Sequence, residues 1–142
     1  MFSFDPRLLN DCEVIGKFEL CHVLLMRDEN YPWCVLVPDR EGMTEVFDLS
    51  EEDQKQLNLE SNTVLKYLKK EFNADKMNVA ALGNVVAQLH IHHIVRYTTD
   101  KAWPAPVWGA FPAEAYSEEE LKKCITKLAK GFATLNIGFV PK

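Results

Sequence analysis

Three of the four histidines in this 142-residue chain, His90, His92 and His93, fall within four residues. They lie in the stretch Gln88-Leu89-His90-Ile91-His92-His93. The apolar residues among them read as a β-strand, and a strand sends alternate side chains to opposite faces. Gln88, His90 and His92 then share one face, and Leu89, Ile91 and His93 share the other. Leu89 and Ile91 mark their face as the one turned toward packed protein. His93 is therefore expected to pack or to be solvated, outside any catalytic set. The opposite face carries an amide and two imidazoles in a row.

That row has a chemical use. Neutral imidazole is a nucleophile and is substantially neutral near pH 7. It can attack phosphorus and form a phosphoramidate intermediate, dividing one hard displacement into two easier ones. The neighbouring imidazole and amide can donate hydrogen bonds to phosphate oxygens and to the leaving group. Two other readings fit the same spacing. His90 and His92 can be two ligands of a metal site that lacks its further ligands, or a purely structural row. On pattern alone the three are comparable.

The elements that must position the row are legible in the flanking sequence. Residues 13–16 and 20–26 are short strand-like runs. Residues 27–32, polar and closed by Pro32, read as a turn. Residues 33–37 form a third strand, stopped by Pro38, and residues 39–49 a connection. Ser50 caps a helix over 51–72 whose first turn is acidic and whose Leu57, Val64, Leu65, Leu68 and Phe72 recur at helical spacing. Residues 77–82 and 85–97 read as two strands joined by a Gly83-Asn84 turn. Ser117-Glu118-Glu119-Glu120 is a capping box ahead of a second apolar-faced helix over 117–132. The proline- and tryptophan-rich stretch 98–116 has no regular structure. Within it, Trp103 to Gly109 forms a rigid aromatic loop whose Trp108 either walls a pocket and stacks a ligand or plugs into the core. Trp33, on a strand, reads as core. The expected fold class is α+β, a mainly antiparallel sheet of about five strands with two helices, in a single domain over residues 1–142.

Composition narrows the function classes. Apolar residues make up 47% and charged residues 26%, the mix of a soluble globular domain. A net charge of −5 speaks against a general nucleic-acid or membrane-surface binder, since either needs a basic patch. The four cysteines, Cys12, Cys21, Cys34 and Cys124, form no C-x-x-C pair. They read as small buried hydrophobes in a reducing compartment. The first residues lack the pattern of a signal peptide, and no apolar run approaches the ~20 residues of a membrane span. The expected location is the cytoplasm.

The stretch from Gly83 to Arg96 resembles the signature of the histidine triad (HIT) family, three histidines separated by single apolar residues and preceded by a glycine and an amide. The resemblance extends over roughly residues 10–110. It implies a HIT-like fold and an enzyme that cleaves at the α-phosphate of a nucleotide. Its substrates are expected to be dinucleoside polyphosphates or nucleoside phosphoramidates, cleaved through a covalent nucleotidyl-histidine. His90 stands at the nucleophile's position, and His92 at the position that binds phosphate oxygens and assists departure. Asn84 matches the amide that contacts the phosphate chain. Asp28, with Asn30 as a competitor, stands where the family holds the ribose hydroxyls. No cofactor and no obligatory metal is implied, and a homodimer is.

The departure is Gln88, which occupies the first histidine's position. Glutamine carries no proton at neutral pH, so a proton relay through that position is lost, although the amide can still donate to a phosphate oxygen. The family orients its nucleophile through a backbone carbonyl near that position, which a side-chain change leaves intact. His93 is the second departure, since an apolar residue is usual there. The rival from another class is a nucleotide-binding or sensing module with weak or no catalysis.

Overall fold

The apolar runs of the chain are short and end at proline, glycine or charged residues. In the computed structural model, which describes residues 1–142, they become strands of one antiparallel sheet. The strands are β1 (Cys12–Lys17), β2 (Cys21–Met26), β3 (Trp33–Pro38), β4 (Lys76–Ala81), β5 (Ile91–Arg96) and β6 (Val140–Pro141). Their order across the sheet is β4-β5-β3-β2-β1-β6. Three helices accompany them: α1 (Pro6–Asp11), α2 (Glu51–Glu71) and α3 (Glu118–Ala133). The two long ones start as their sequences dictate, with the Ser50 and Ser117 hydroxyls each accepting from a backbone N–H at 3.1 Å ahead of an acidic first turn.

Alternation along the inner strands sorts the core into two layers. Cys34, Leu36, Ile91 and Val95 pack with Leu57, Val64 and Leu68 of α2 and Leu128 and Phe132 of α3. Trp33, Val35, Val37 and Ile94 turn to the other face, where they meet Leu8 of α1 and the loop residues Ala102 and Val107. Strands β3 and β5 are buried at every residue. One face of the sheet is thus closed by long helices and the other by short segments and loops.

Two buried charged residues hold connections in place. Glu60 of α2 accepts from the backbone N–H groups of Leu20 and Cys21 at 2.9 and 2.8 Å, pinning the β1–β2 turn to the helix. Arg96 ends β5 with a two-pronged pair to Asp100, Nε to Oδ2 at 2.8 Å and Nη2 to Oδ1 at 3.1 Å, and it also donates to Asn78 and to the Ala105 carbonyl. Burial works against the Asp100 charge, but the guanidinium and the N–H groups of Tyr97 and Trp103 outweigh it and hold the carboxyl below its ordinary range. The loop after β5 is thereby anchored at its root.

The five expected strands and both long helices are present. The strand expected over 85–97 is shorter. It begins at Ile91, and residues 82–90 are a loop in which the Leu89 N–H donates to the Met43 carbonyl at 2.9 Å and not to a neighbouring strand. Gly83-Asn84 is accordingly part of a longer connection and not a two-residue hairpin turn. Helix α1 and strand β6 are additional. Six residues are too few to show apolar periodicity, but α1 has clear local signals: the Asp5 carboxylate accepts from the Arg7 N–H at 2.9 Å and Pro6 opens the helix. All four cysteines are free thiols, three of them buried. No helix is long and apolar enough to cross a membrane.

Candidate functional site

A cleft of about 710 Å³ opens on the sheet face away from α2 and α3, within the ~300–1,000 Å³ usual for small-molecule sites. His90 stands at the end of the 82–90 loop and His92 is the second residue of β5, so one arrives on loop geometry and the other on strand alternation. Both line the cleft, and their rings meet edge to face with centroids 4.9 Å apart.

The proton positions follow from the partners. His90 Nδ1 lies 2.7 Å from the Gln88 carbonyl oxygen. That oxygen only accepts, so Nδ1 carries the proton and Nε2 keeps the lone pair. His92 is the reverse. Its Nδ1 lies 3.0 Å from Trp33 Nε1, an obligatory donor, so Nδ1 is bare and the neutral ring carries its proton on Nε2. Burial, reinforced by the neighbouring His90 and His93, pushes His92 down to about 3 and keeps it neutral at physiological pH. The cleft therefore holds a lone pair on one imidazole beside an N–H donor on the other.

Gln88 does not join that row. Its side chain is absent from the cleft lining, and its amide is engaged on the outer side: Nε2 donates to the Ser3 carbonyl at 2.9 Å, and Oε1 accepts from the Asp5 N–H at 2.8 Å. The expectation that Gln88, His90 and His92 share a face assumed a continuous strand. The loop through residue 90 removes the alternation on which it rested.

The remaining expected residues divide. Asp28 is buried at the cleft, with Oδ1 accepting from the N–H groups of Asn30 and Glu114 at 3.0 and 3.2 Å. Asn30 does not line the cleft, and its side chain donates to the Pro112 carbonyl at 3.2 Å. Asn84 lines the cleft from the 82–90 loop. Trp108 lines it from the loop after β5, standing edge to face against His92 and Trp33 at 5.1 and 5.9 Å. Trp103 lies elsewhere, over the Arg96 guanidinium at 5.6 Å. His93 is fully buried on the helix face, where its Nε2 lies 2.7 Å from the Ser61 hydroxyl of α2.

Three cleft residues escaped sequence reasoning. Trp33 is buried as expected, yet its Nε1 also fixes the His92 tautomer. Alternation held the signal, since Trp33 pairs with Ile94 and lies on the same face as His92 across the β3–β5 ladder. Arg7 and Asp11 enter the lining from α1. No group of three or more His, Cys, Asp or Glu side chains is arranged to hold a metal ion.

The fold has close counterparts. Among solved structures, a histidine triad (HIT) protein from Marinobacter aquaeolei VT8 is 46% identical with a TM-score of 0.92, over 95% of this chain and 98% of that one. A histidine triad (HIT) protein from Sinorhizobium meliloti 1021 is 44% identical with a TM-score of 0.89, over 92% and 97%. A hypothetical histidine triad nucleotide-binding protein from Sulfolobus tokodaii strain 7 shares the fold alone, at 14% identity and a TM-score of 0.67 over 90% of each chain. No curated protein matches the chain. Residues 7–99 match the model of the HIT domain, so that, with this agreement in fold, the chain belongs to the HIT family.

Proposed function

We propose that the protein is a nucleotide hydrolase or transferase that cleaves at the α-phosphate through a covalent nucleotidyl-His90 intermediate. One observation carries the reading: His90 presents the Nε2 lone pair of a ring oriented by the Gln88 carbonyl, in a cleft of nucleotide size, beside a neutral His92 whose Nε2–H is free to donate. Nε2 attacks the α-phosphorus, and the bond from phosphorus to the leaving oxygen or nitrogen breaks. The positive charge that develops on His90 is shared with the Gln88 carbonyl through Nδ1–H. His92 donates to a phosphate oxygen or the departing atom. Water then cleaves the phosphorus–Nε2 bond and restores the ring.

The other cleft residues take roles in keeping with their chemistry. Asp28, with Oδ1 tied to two backbone N–H groups, offers its other carboxylate oxygen to ribose hydroxyls. Asn84 contacts the phosphate chain, and Trp108 stacks on the base or the leaving group. The substrates proposed are dinucleoside polyphosphates or nucleoside phosphoramidates. The edge strand β4 and the residues after it expose Val79, Leu82 and Val85, which supports a homodimer formed by pairing two sheets. Buried free thiols fit a reducing compartment such as the cytoplasm.

Incubation with such substrates followed by quenching is expected to trap an acid-labile nucleotidyl adduct on the wild type. His90→Ala is expected to lose the adduct and at least ~10³-fold in turnover. Unchanged turnover sinks the nucleophile assignment. The rival, a nucleotide-binding module with little catalysis, draws on one observation: a neutral His92 and an outward Gln88 leave the row without a cationic acid for the leaving group. Calorimetry with AMP separates the two, since tight binding with no turnover of any substrate favours the rival.

A further inference from the structure

The carbonyl that aims His90 belongs to a loop, and a loop carbonyl points wherever its peptide plane is held. This plane is held at both ends. Its oxygen accepts from His90 Nδ1 at 2.7 Å, and its N–H, that of Leu89, donates to Met43 at 2.9 Å. The side chain of the same residue, Gln88, is fixed as well, through the paired bonds to the Ser3 carbonyl and the Asp5 N–H. Those bonds join residues more than eighty positions apart in the chain.

The segment that Gln88 grips is itself built in. Phe2 stacks on His22 of β2 at 4.9 Å, and Phe4 meets the same ring edge-on at 4.9 Å. His22 is in turn 3.2 Å from Asp39. Asp5 caps α1, and α1 forms one wall of the cleft through Arg7, Leu8, Asn10 and Asp11. One residue therefore connects the seated segment, the helix that walls the cleft and the carbonyl that orients the ring.

We propose that Gln88 is a positioning residue: its amide latches residues 3–5 to the 82–90 loop, and that latch fixes both the carbonyl that orients His90 and the α1 wall of the cleft. The first position of the triad has thus exchanged a proton-bearing ring for a two-way amide clamp. Glutamine suits the role because it offers a donor and an acceptor side by side, matching one backbone C=O and one backbone N–H. The proposal rests on His90 as nucleophile for its kinetic consequences but not for its structural ones.

The test is a double-mutant cycle between Gln88→Ala and Phe4→Ala, read by kinetics and by 15N signals of the His90 ring. Phe4 lies outside the cleft lining. Gln88→Ala is expected to lower kcat about tenfold with KM changed less than about threefold, because geometry and not affinity is lost. Phe4→Ala is expected to lose less, and the double variant no more than Gln88→Ala alone, since both break one latch. Gln88→Glu keeps the acceptor for Asp5 but sets an oxygen against the Ser3 carbonyl, so an intermediate loss is expected. It also serves should Gln88→Ala fail to fold. The His90 ring signals should shift or broaden in each variant. Losses that multiply in the double variant, or wild-type kcat and His90 signals in Gln88→Ala and Gln88→Glu, overturn the latch. A wild type that turns over no nucleotide, with His90 signals that still respond to Gln88→Ala, removes the hydrolase reading and keeps the latch.

Discussion

His90 and His93 use one device to opposite ends. Each lies against the carbonyl two residues earlier, His90 Nδ1 at 2.7 Å from Gln88 and His93 Nδ1 at 2.9 Å from Ile91, so each keeps its lone pair on Nε2. What differs is the far side of the ring. His90 Nε2 belongs to a ring that lines the cleft, whereas His93 Nε2 accepts from the Ser61 hydroxyl at 2.7 Å beneath α2. Tautomer alone therefore does not set the proposed nucleophile apart from a structural histidine. The lone pair must also be without an internal partner and within reach of substrate, and the sheet decides that by its two faces.

The sharpest way to break this contrast is to remove each ring. His93→Ala leaves a void in the core and strips the Ser61 hydroxyl of its buried acceptor, so a loss of about 2–4 kcal/mol in unfolding free energy is expected. Turnover per folded molecule should stay near the wild-type value. His90→Ala should do the reverse, with turnover lost at least ~10³-fold and stability changed by about 1 kcal/mol. Denaturant unfolding and kcat on the same preparations measure both. A His93→Ala protein that is fully stable but inactive would erase the distinction between the two faces.

How far the sequence carries this contrast can be traced through particular residues. His93 separates from His92 by alternation alone, because both lie on β5, where the rule holds. The same rule misplaces Gln88, since apolar residues at 85–87 and 89 continue the strand-like pattern while the backbone has already left the strand to bond Met43. A tertiary hydrogen bond to a connection forty-six residues earlier leaves no periodic trace. The long helices announce themselves through caps and periodicity, whereas α1 and β6 are too short to do so. Trp33 is legible as apolar and buried, but its donor reaches a partner fifty-nine residues away, which composition cannot reveal. Asp28 and Asn30 show the same limit within one turn. Both are plausible ribose partners by type, and only the fold puts Asp28 in the cleft and turns Asn30 to Pro112.

A second contrast concerns pH. Burial pushes His92 down to about 3 and His93 down to about 4. In the unfolded chain each titrates near ~6.5, so the unfolded state binds more protons below that value. The stability that the neutral rings contribute is complete above pH ~6.5 and is lost as pH falls toward the folded values, at about 2–3 kcal/mol per ring by pH ~4.5. His22, also lowered by burial, adds in the same direction, and Asp100 contributes to acid sensitivity only below its ordinary range. The measurement is thus the difference between wild type and His93→Ala in the dependence of unfolding free energy on pH between ~6.5 and ~4.5. The variant should lose the slope of about one proton. Equal slopes would mean that the buried ring on the helix face is already protonated.

The smallest effect tests the opposite tautomer. Trp33→Phe keeps an aromatic ring beside His92 but removes the N–H that bonds its Nδ1 at 3.0 Å. His92 is then free to carry its proton on either nitrogen. In the Nδ1–H form, Nε2 presents a lone pair to a phosphate oxygen, and a donor has become a repulsive contact. Under the proposed mechanism the expected loss is about tenfold in kcat, one misplaced donor being worth ~10²-fold or more in known active sites. Stability should fall by about 1 kcal/mol, the net worth of one hydrogen bond. Ring 15N shifts should move His92 from a single Nε2–H form to a mixture, while His90 and His93 stay as they are, since backbone carbonyls hold their protons. If His92 keeps its Nε2–H form in Trp33→Phe, the tautomer is set by the cleft and not by Trp33. If His90 shifts with it, the two rings facing the cleft are coupled more tightly than their separate partners imply.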